Sequence, residues 1–99
     1  ACVKLARKAE LMKLDSALHV WGSAVTIAAN AQVALAVPSI DILEIPMVSL
    51  ELTEKMWTEP PTIKNGIWHS SDAPGLGVTL DDSLIHKYKF KPDSGYRLP

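Results

Sequence analysis

The sequence predicts a mixed α/β fold in which two short parallel strands are joined by a crossover helix. Residues 14–46 hold two short apolar segments on either side of one nearly all-apolar helix, which is the order of a βαβ unit. Each segment also ends on one ionisable residue, His19 in the first and Glu44 in the second. Functional side chains gather at the carboxyl ends of parallel strands, so this pair is the candidate site.

The first two elements are an amphipathic helix and a minimal strand. Apolar residues recur at helical spacing in residues 1–12, with the basic residues mostly on the opposite side, so the chain opens within a helix. Residues 17–20 form the first strand. Because side chains alternate along a strand, His19 shares one face with Ala17, while the other two residues pack under the helices. We therefore expect His19 to point away from the helices.

The crossover helix covers residues 24–37. Ser23 is a suitable N-cap, and six alanines allow the helix to approach the strands closely. Pro38 then ends the helix, because proline lacks the N–H that a helix interior requires.

The second strand covers residues 40–45. Alternation places Ile40, Ile42 and Glu44 on one face and the remaining three residues on the other. Glu44 is the last residue of its face before Pro46 ends the pairing. The strand is therefore expected to present Glu44 on the same side as His19.

The second half of the chain is predicted to be less regular. Residues 48–61 are expected to be irregular because they end in a Pro-Pro pair. Asn65-Gly66 is the strongest short hairpin or turn signal in the chain. Residues 72–77 form a rigid turn, residues 80–88 a short helix, and residues 89–99 a polar tail.

Composition excludes several classes of function. Ten basic and eleven acidic residues give a net charge of −1 without a basic stripe, so nucleic acid is not an expected partner. The longest apolar run, residues 24–37, is shorter than the roughly 20 residues of a membrane span, so no membrane partner is expected. The single cysteine, Cys2, cannot form an internal disulfide; it is expected to be buried, and a cytoplasmic location fits.

The order of these features resembles a known family. His-Val-Trp-Gly ends the first strand and begins the turn after it, Leu-Glu lies near the end of the second, and Asn-Gly and Asp-Ala-Pro-Gly-Leu-Gly-Val precede an acidic helix start. This order resembles the carboxyl-terminal part of the mandelate racemase/muconate lactonizing enzyme group of the enolase superfamily. The resemblance implies the end of a (β/α)₇β TIM-type barrel. Residues 1–46 would be the barrel segment, and residues 47–99 an extension packing on the barrel and capping domain.

The resemblance also implies a chemistry. It implies a Mg²⁺-dependent enzyme that removes the proton α to a carboxylate and stabilises the resulting enediolate on the metal. His19 matches the family's histidine after the seventh strand, a general base or acid. Glu44 matches the acidic residue after the eighth strand, which hydrogen-bonds the substrate carboxylate. Trp21 is a candidate to line the substrate pocket. The structural alternatives are a hydrogen-bonded histidine, a rim carboxylate and a packing indole.

In that family the metal-binding carboxylates, the catalytic lysine and the aspartate that orients the histidine lie on earlier strands, which would precede Ala1. The 99 residues alone are therefore expected to be an inactive fragment of an acid-sugar dehydratase, racemase or cycloisomerase, with Mg bound by residues outside this segment. The expected partners are the remainder of the barrel and capping domain, a small carboxylate or acid-sugar substrate, and further copies in a homo-oligomer. The alternative is a non-catalytic, oligomerising interaction fragment.

Overall fold

The computed structural model describes residues 1–92, and the last seven positions of the predicted polar tail lie outside the described residues. The described chain is a mixture of helices and short strands, which confirms the predicted α/β class. In chain order the elements are α1 (Cys2–Leu11), β1 (Ala17–Leu18), α2 (Ala24–Ala36), β2 (Ile42–Leu43), α3 (Glu51–Glu54), β3 (Thr62–Lys64), β4 (Ile67–His69) and α4 (Asp82–Lys87).

Strands β1 and β2 pair in parallel, as the βαβ order predicts. Ala17 lies opposite Ile42, and Leu18 lies opposite Leu43. The Glu44 N–H continues the ladder by donating to the Leu18 carbonyl at 3.3 Å. Both strands are shorter than predicted, because within the described residues this sheet has only two strands to share hydrogen bonds.

Helix α2 carries most of the core. Its alanines at positions 24, 28 and 31 and its Ile27 are buried, and the small alanine side chains let neighbouring segments approach the helix closely. One apolar cluster joins its carboxyl end and the following turn to α1, through Val37, Ile40 and Ala6. A second cluster joins its amino end to the chain around α3 and α4, through Ala24, Met56 and Leu84.

Three expectations need correction. Ile40 does not share a face with Ile42, since Ile40 is buried and Ile42 is 61% exposed. The Ile40 N–H donates to the Val37 carbonyl in a turn, so strand alternation begins only after it. Cys2 is exposed rather than buried, because α1 buries only Ala6. The predicted irregular segment contains helix α3, whose Glu51 pairs with Lys55 one turn later, a spacing that stabilises helices.

The Asn65-Gly66 signal is confirmed as a hairpin turn between β3 and β4. Asn65 has φ of 52° and Gly66 φ of 75°, the two positive values that a type I′ turn requires. The strands pair antiparallel, with Ile63 opposite Trp68. The Trp68 ring lies 6.1 Å from that of Trp57, so the hairpin contacts the segment after α3.

Helix α4 begins close to its predicted position. The Asp81 side chain caps it, because Oδ1 accepts hydrogen bonds from the backbone N–H groups of Ser83 and Leu84 at 2.7 and 3.3 Å. The Ser83 hydroxyl also donates to Oδ1, at 2.6 Å. This bond, followed by the two backbone bonds, holds the pKa of the Asp81 carboxyl below its ordinary value. None of the helices in residues 1–92 is long and apolar enough to cross a membrane.

Candidate active site

The parallel register brings His19 and Glu44 together. Because Leu18 lies opposite Leu43, the next residue of each strand, 19 and 44, also lies side by side. The His19 Nδ1 and Glu44 Oε2 atoms are 3.0 Å apart, although the residues are 25 positions apart in sequence. The structure therefore places two of the three predicted site residues in direct contact at the carboxyl ends of adjacent parallel strands.

The pair lies on the face of the two strands that is turned away from α2. Along β1 the side chains alternate, with Ala17 and His19 exposed, Leu18 half-buried and Val20 fully buried. On β2, Ile42 and Glu44 are exposed while Leu43 is half-buried. The predicted alternation around the site is thus confirmed, except at the buried Ile40 described above.

The hydrogen bond fixes the chemistry that the imidazole can offer. An ionised Glu44 can only accept, so the Nδ1–H of His19 donates to it and Nε2 is left for another partner. The side chains of His19 and Glu44 are 78% and 54% exposed. An ion pair this exposed contributes little to folding stability, so what the contact does is place an imidazole and a carboxylate side by side.

Trp21, the third predicted site residue, lies two positions after His19. Its side chain is 62% exposed, and within residues 1–92 its indole makes no hydrogen bond or ring contact. The structure therefore places Trp21 beside the pair along the chain but does not bring its ring into a polar contact with either member.

The turn that carries Trp21 is held from a distant segment. The Thr53 hydroxyl of α3 donates to the Gly22 carbonyl at 3.1 Å, across 31 positions of sequence. Gly22 has φ of 140°, and a Cβ there would lie 3.0 Å from Thr26 Oγ1, so this position favours glycine. Sequence reasoning missed Thr53, because a threonine in a segment expected to be irregular carries no signal of its own.

Helix α3 is itself tied to α4 by a cluster of polar contacts around Glu51. The Glu51 carboxylate accepts hydrogen bonds from Lys55 at 2.5 Å, from Lys87, and from the Tyr88 hydroxyl at 2.8 Å. Lys55, Lys87 and Tyr88 together lower the pKa of Glu51 from 4.5 to about 2. The hydrogen bond to Glu51 in turn raises the pKa of the Lys87 ammonium. Thr53 therefore projects from a helix that is anchored at its first residue.

The described residues offer few ligands for a metal ion. Residues 1–92 contain no group of three histidine, cysteine, aspartate or glutamate side chains close enough to hold one. His19 and Glu44 offer one nitrogen and one carboxylate, whereas Mg²⁺ prefers a near-octahedral set of oxygen ligands. These residues do not by themselves fit a Mg²⁺ site.

The fold and the pair define a class of protein: an α/β protein that presents an acid–base pair at the ends of neighbouring parallel strands. Comparison of the sequence with known families identifies the class more closely. The chain belongs to the family described as "Enolase C-terminal domain-like", whose sequence model matches residues 1–84. This match confirms the resemblance to the enolase superfamily.

Two of the similar proteins are named as dehydratases. The chain is 36% identical over 85 residues to a D-xylonate dehydratase of Haloferax volcanii, covering 86% of this chain and 21% of that protein. It is 31% identical over 90 residues to a D-mannonate dehydratase of a Sphingomonas species, covering 89% of this chain and 22% of that protein. The chain thus spans about a fifth of the length of these relatives. No solved structure matches the chain significantly.

Proposed function

We propose that these residues form the last part of the barrel of a Mg²⁺-dependent acid-sugar dehydratase of the enolase superfamily. His19 is the general acid or base, and Glu44 binds the carboxylate of the substrate. The observation that carries this proposal is the 3.0 Å contact between the two side chains across β1 and β2. Family membership and the dehydratase names of the similar proteins support it, and favour dehydration over racemisation or cycloisomerisation.

The pair suits an anionic substrate because it can hold one proton between an imidazole and a carboxylate. With that proton the pair is an imidazolium beside a carboxylate. Nδ1–H donates to Glu44, Nε2–H is left to donate to a substrate oxygen, and the pair adds no net negative charge. A substrate carboxylate can therefore approach Glu44 without facing an unpaired anion.

Dehydration of a sugar acid breaks a C–H and a C–O bond and forms a C=C bond and the second O–H bond of water. The C–H bond α to the carboxylate loses its proton to a base, a C=C bond forms, and the β-hydroxyl leaves with a proton as water. Nε2 of His19 can take the first proton or supply the second, while Glu44 holds Nδ1 and keeps the ring oriented. In the described residues this face is open to solvent. The remaining strands of a barrel would supply the water exclusion that strengthens such interactions.

The first test is the reading frame upstream of the Ala1 codon. The proposal predicts an open frame that encodes a lysine motif and three spaced metal-binding carboxylates. An initiation codon near Ala1, together with a stable oligomer that has no turnover, would instead support the alternative of a non-catalytic interaction fragment. The exposed apolar side chains, such as Leu11 at 86% and Met47 at 97%, are the observation that favours this alternative.

The second test is substitution in the natural polypeptide that carries these residues. We expect His19→Asn to lower kcat for sugar-acid dehydration by about 10²- to 10⁴-fold, the usual contribution of a general acid or base. Glu44→Gln keeps the shape but cannot carry the charge, and should also lower kcat/KM. Formation of the 2-keto-3-deoxy acid product from a panel of sugar acids measures both effects.

His86→Asn is the matched control, because His86 is exposed on α4 and lies in neither strand of the site. It should retain the unmodified rate. Unchanged turnover and unchanged solvent-deuterium exchange of the α-proton in His19→Asn would return His19 to a structural role. Residues 1–99 expressed alone should show no turnover, and measurable dehydration by that chain would overturn the proposal that other strands are required.

A further inference from the structure

We infer that Thr53 is a positioning residue that holds Trp21 against the substrate, and that it sets substrate affinity and not the rate of proton transfer. This inference rests on the proposed function and on the prediction that Trp21 lines the substrate pocket. The starting observation is the hydrogen bond from the Thr53 hydroxyl to the Gly22 carbonyl, 3.1 Å long and made across 31 positions of sequence. Gly22 directly follows Trp21, so the bond restrains the backbone that aims the indole.

The restraint applies to Trp21 more than to His19. His19 is fixed from both sides, because β1 pairs with β2 just before it and Val20 just after it is fully buried. Beyond Val20 the chain turns, and the side chain of Trp21 is 62% exposed. Trp21 is therefore the exposed residue of this loop, and the direction of its side chain depends on the backbone of the turn.

Packing holds the turn on its α2 side, through the buried Ala24, but leaves open space beside Gly22. A cavity of about 260 Å³ lies between the turn and helices α3 and α4, lined by Gly22, Ser23, Leu50, Glu51, Leu52 and Tyr88. A glycine with φ of 140° has no side chain that could fill it. The Thr53 hydroxyl is thus a direct polar link between the turn and α3 beside this cavity.

Helix α3, which carries Thr53, is held by several further hydrogen bonds. Glu51, two positions before Thr53, is hydrogen-bonded to Lys55, Lys87 and Tyr88. The Thr53 carbonyl also accepts a hydrogen bond from the Trp57 indole N–H at 2.7 Å. A fixed donor on α3 can therefore transmit its position to the Trp21 turn.

The experiment compares single and double variants of the natural polypeptide. Thr53→Val keeps the shape of the side chain and removes its hydroxyl. We expect KM for the sugar acid to rise about 3- to 10-fold, because one lost hydrogen bond corresponds to a factor of this size. We expect kcat to change by less than about 2-fold. Thr53→Ser restores the hydroxyl and should restore KM. Thr58→Val is the matched control, because its hydroxyl bonds Thr79 and not the Trp21 turn; its KM should stay unchanged.

Two further measurements separate a positioning role from a general loss of stability. In a Trp21→Ala background Thr53→Val should raise KM no further, because a residue that acts through Trp21 has no effect once the indole is absent. Hydrogen exchange of the backbone amides in residues 20–24 should also be faster in Thr53→Val than in Thr58→Val.

The outcomes distinguish this inference from the proposed function. If His19→Asn is inactive but Thr53→Val leaves KM unchanged, the inference about Thr53 is wrong, whether or not kcat falls. The proposed function stands in that case. Additive effects of Thr53→Val and Trp21→Ala on KM would also overturn it. If His19→Asn retains full turnover, the proposed function is wrong and the inference falls with it.

Discussion

Isolating residues 1–99 is the perturbation whose outcome the structure predicts most directly. The chain has an accessible surface of 7829 Å² and a mass of 10.8 kDa. A compact monomer of that mass exposes about 5,500 Å². The radius of gyration of 15.4 Å likewise exceeds the about 12.6 Å expected for a compact chain of this length. The excess surface, about 2,300 Å², is well above the roughly 800 Å² that one partner buries in an ordinary interface.

Much of the exposed surface is apolar. In α1 and the following residues, Leu5 is 71% exposed, Leu11 86% and Met12 61%. On the site face Ile42 is 61% exposed, and Met47 after β2 is 97% exposed. Exposed apolar surface on this scale is characteristic of association or aggregation. We therefore expect the isolated chain to oligomerise or aggregate, and not to fold as a stable monomer.

Sedimentation velocity over a concentration series measures this directly. We expect species heavier than 10.8 kDa that increase with concentration, and a broad thermal transition. Replacing Leu5 and Leu11 by lysine should reduce association, whereas Arg7→Lys, a change of an exposed basic residue on the same helix, should not. A monodisperse monomer with a sharp, cooperative melt would refute the reasoning, because such a monomer needs a closed core.

Two other predictions concern stability, measured as the melting temperature of the natural polypeptide. The lowered pKa of Glu51, about 2 against 4.5, means that its ionised form stabilises the folded state above pH 4.5, and that this stabilisation is lost as the pH falls to about 2. The melting temperature of Glu51→Gln should therefore be lower than that of the unmodified protein at neutral pH. The difference should shrink as the pH falls from 4.5 to about 2. A difference independent of pH would contradict the lowered pKa of Glu51. Gly66→Ala should destabilise the hairpin by about 1 kcal/mol because φ is positive, although no atom lies within 4 Å of the added methyl. Asn65→Gly is the control for Gly66→Ala and should leave the melting temperature nearly unchanged. An unchanged melting temperature in Gly66→Ala would show that the turn can relax.

The sequence by itself determined those features that depend on neighbouring residues. The βαβ order, the hairpin at Asn65-Gly66 and the helix start at Asp81 were all predicted, because turn conformation and helix capping are local properties. The contact between His19 and Glu44 was also predictable, since both were expected on the same face at the carboxyl ends of two strands, and parallel pairing aligns the two strand ends. Family membership followed from the order of these motifs and is confirmed by the family match.

Only the tertiary structure decided how distant segments meet. The burial of Ile40 depends on its packing with Val37 and Ala6, which overrides the alternation expected of a strand. The exposure of Cys2 depends on which face of α1 meets the rest of the chain. The bond from Thr53 to Gly22 joins residues 31 positions apart and has no local sequence signal. Long-range packing sets these contacts, and no pattern of neighbouring residues encodes it.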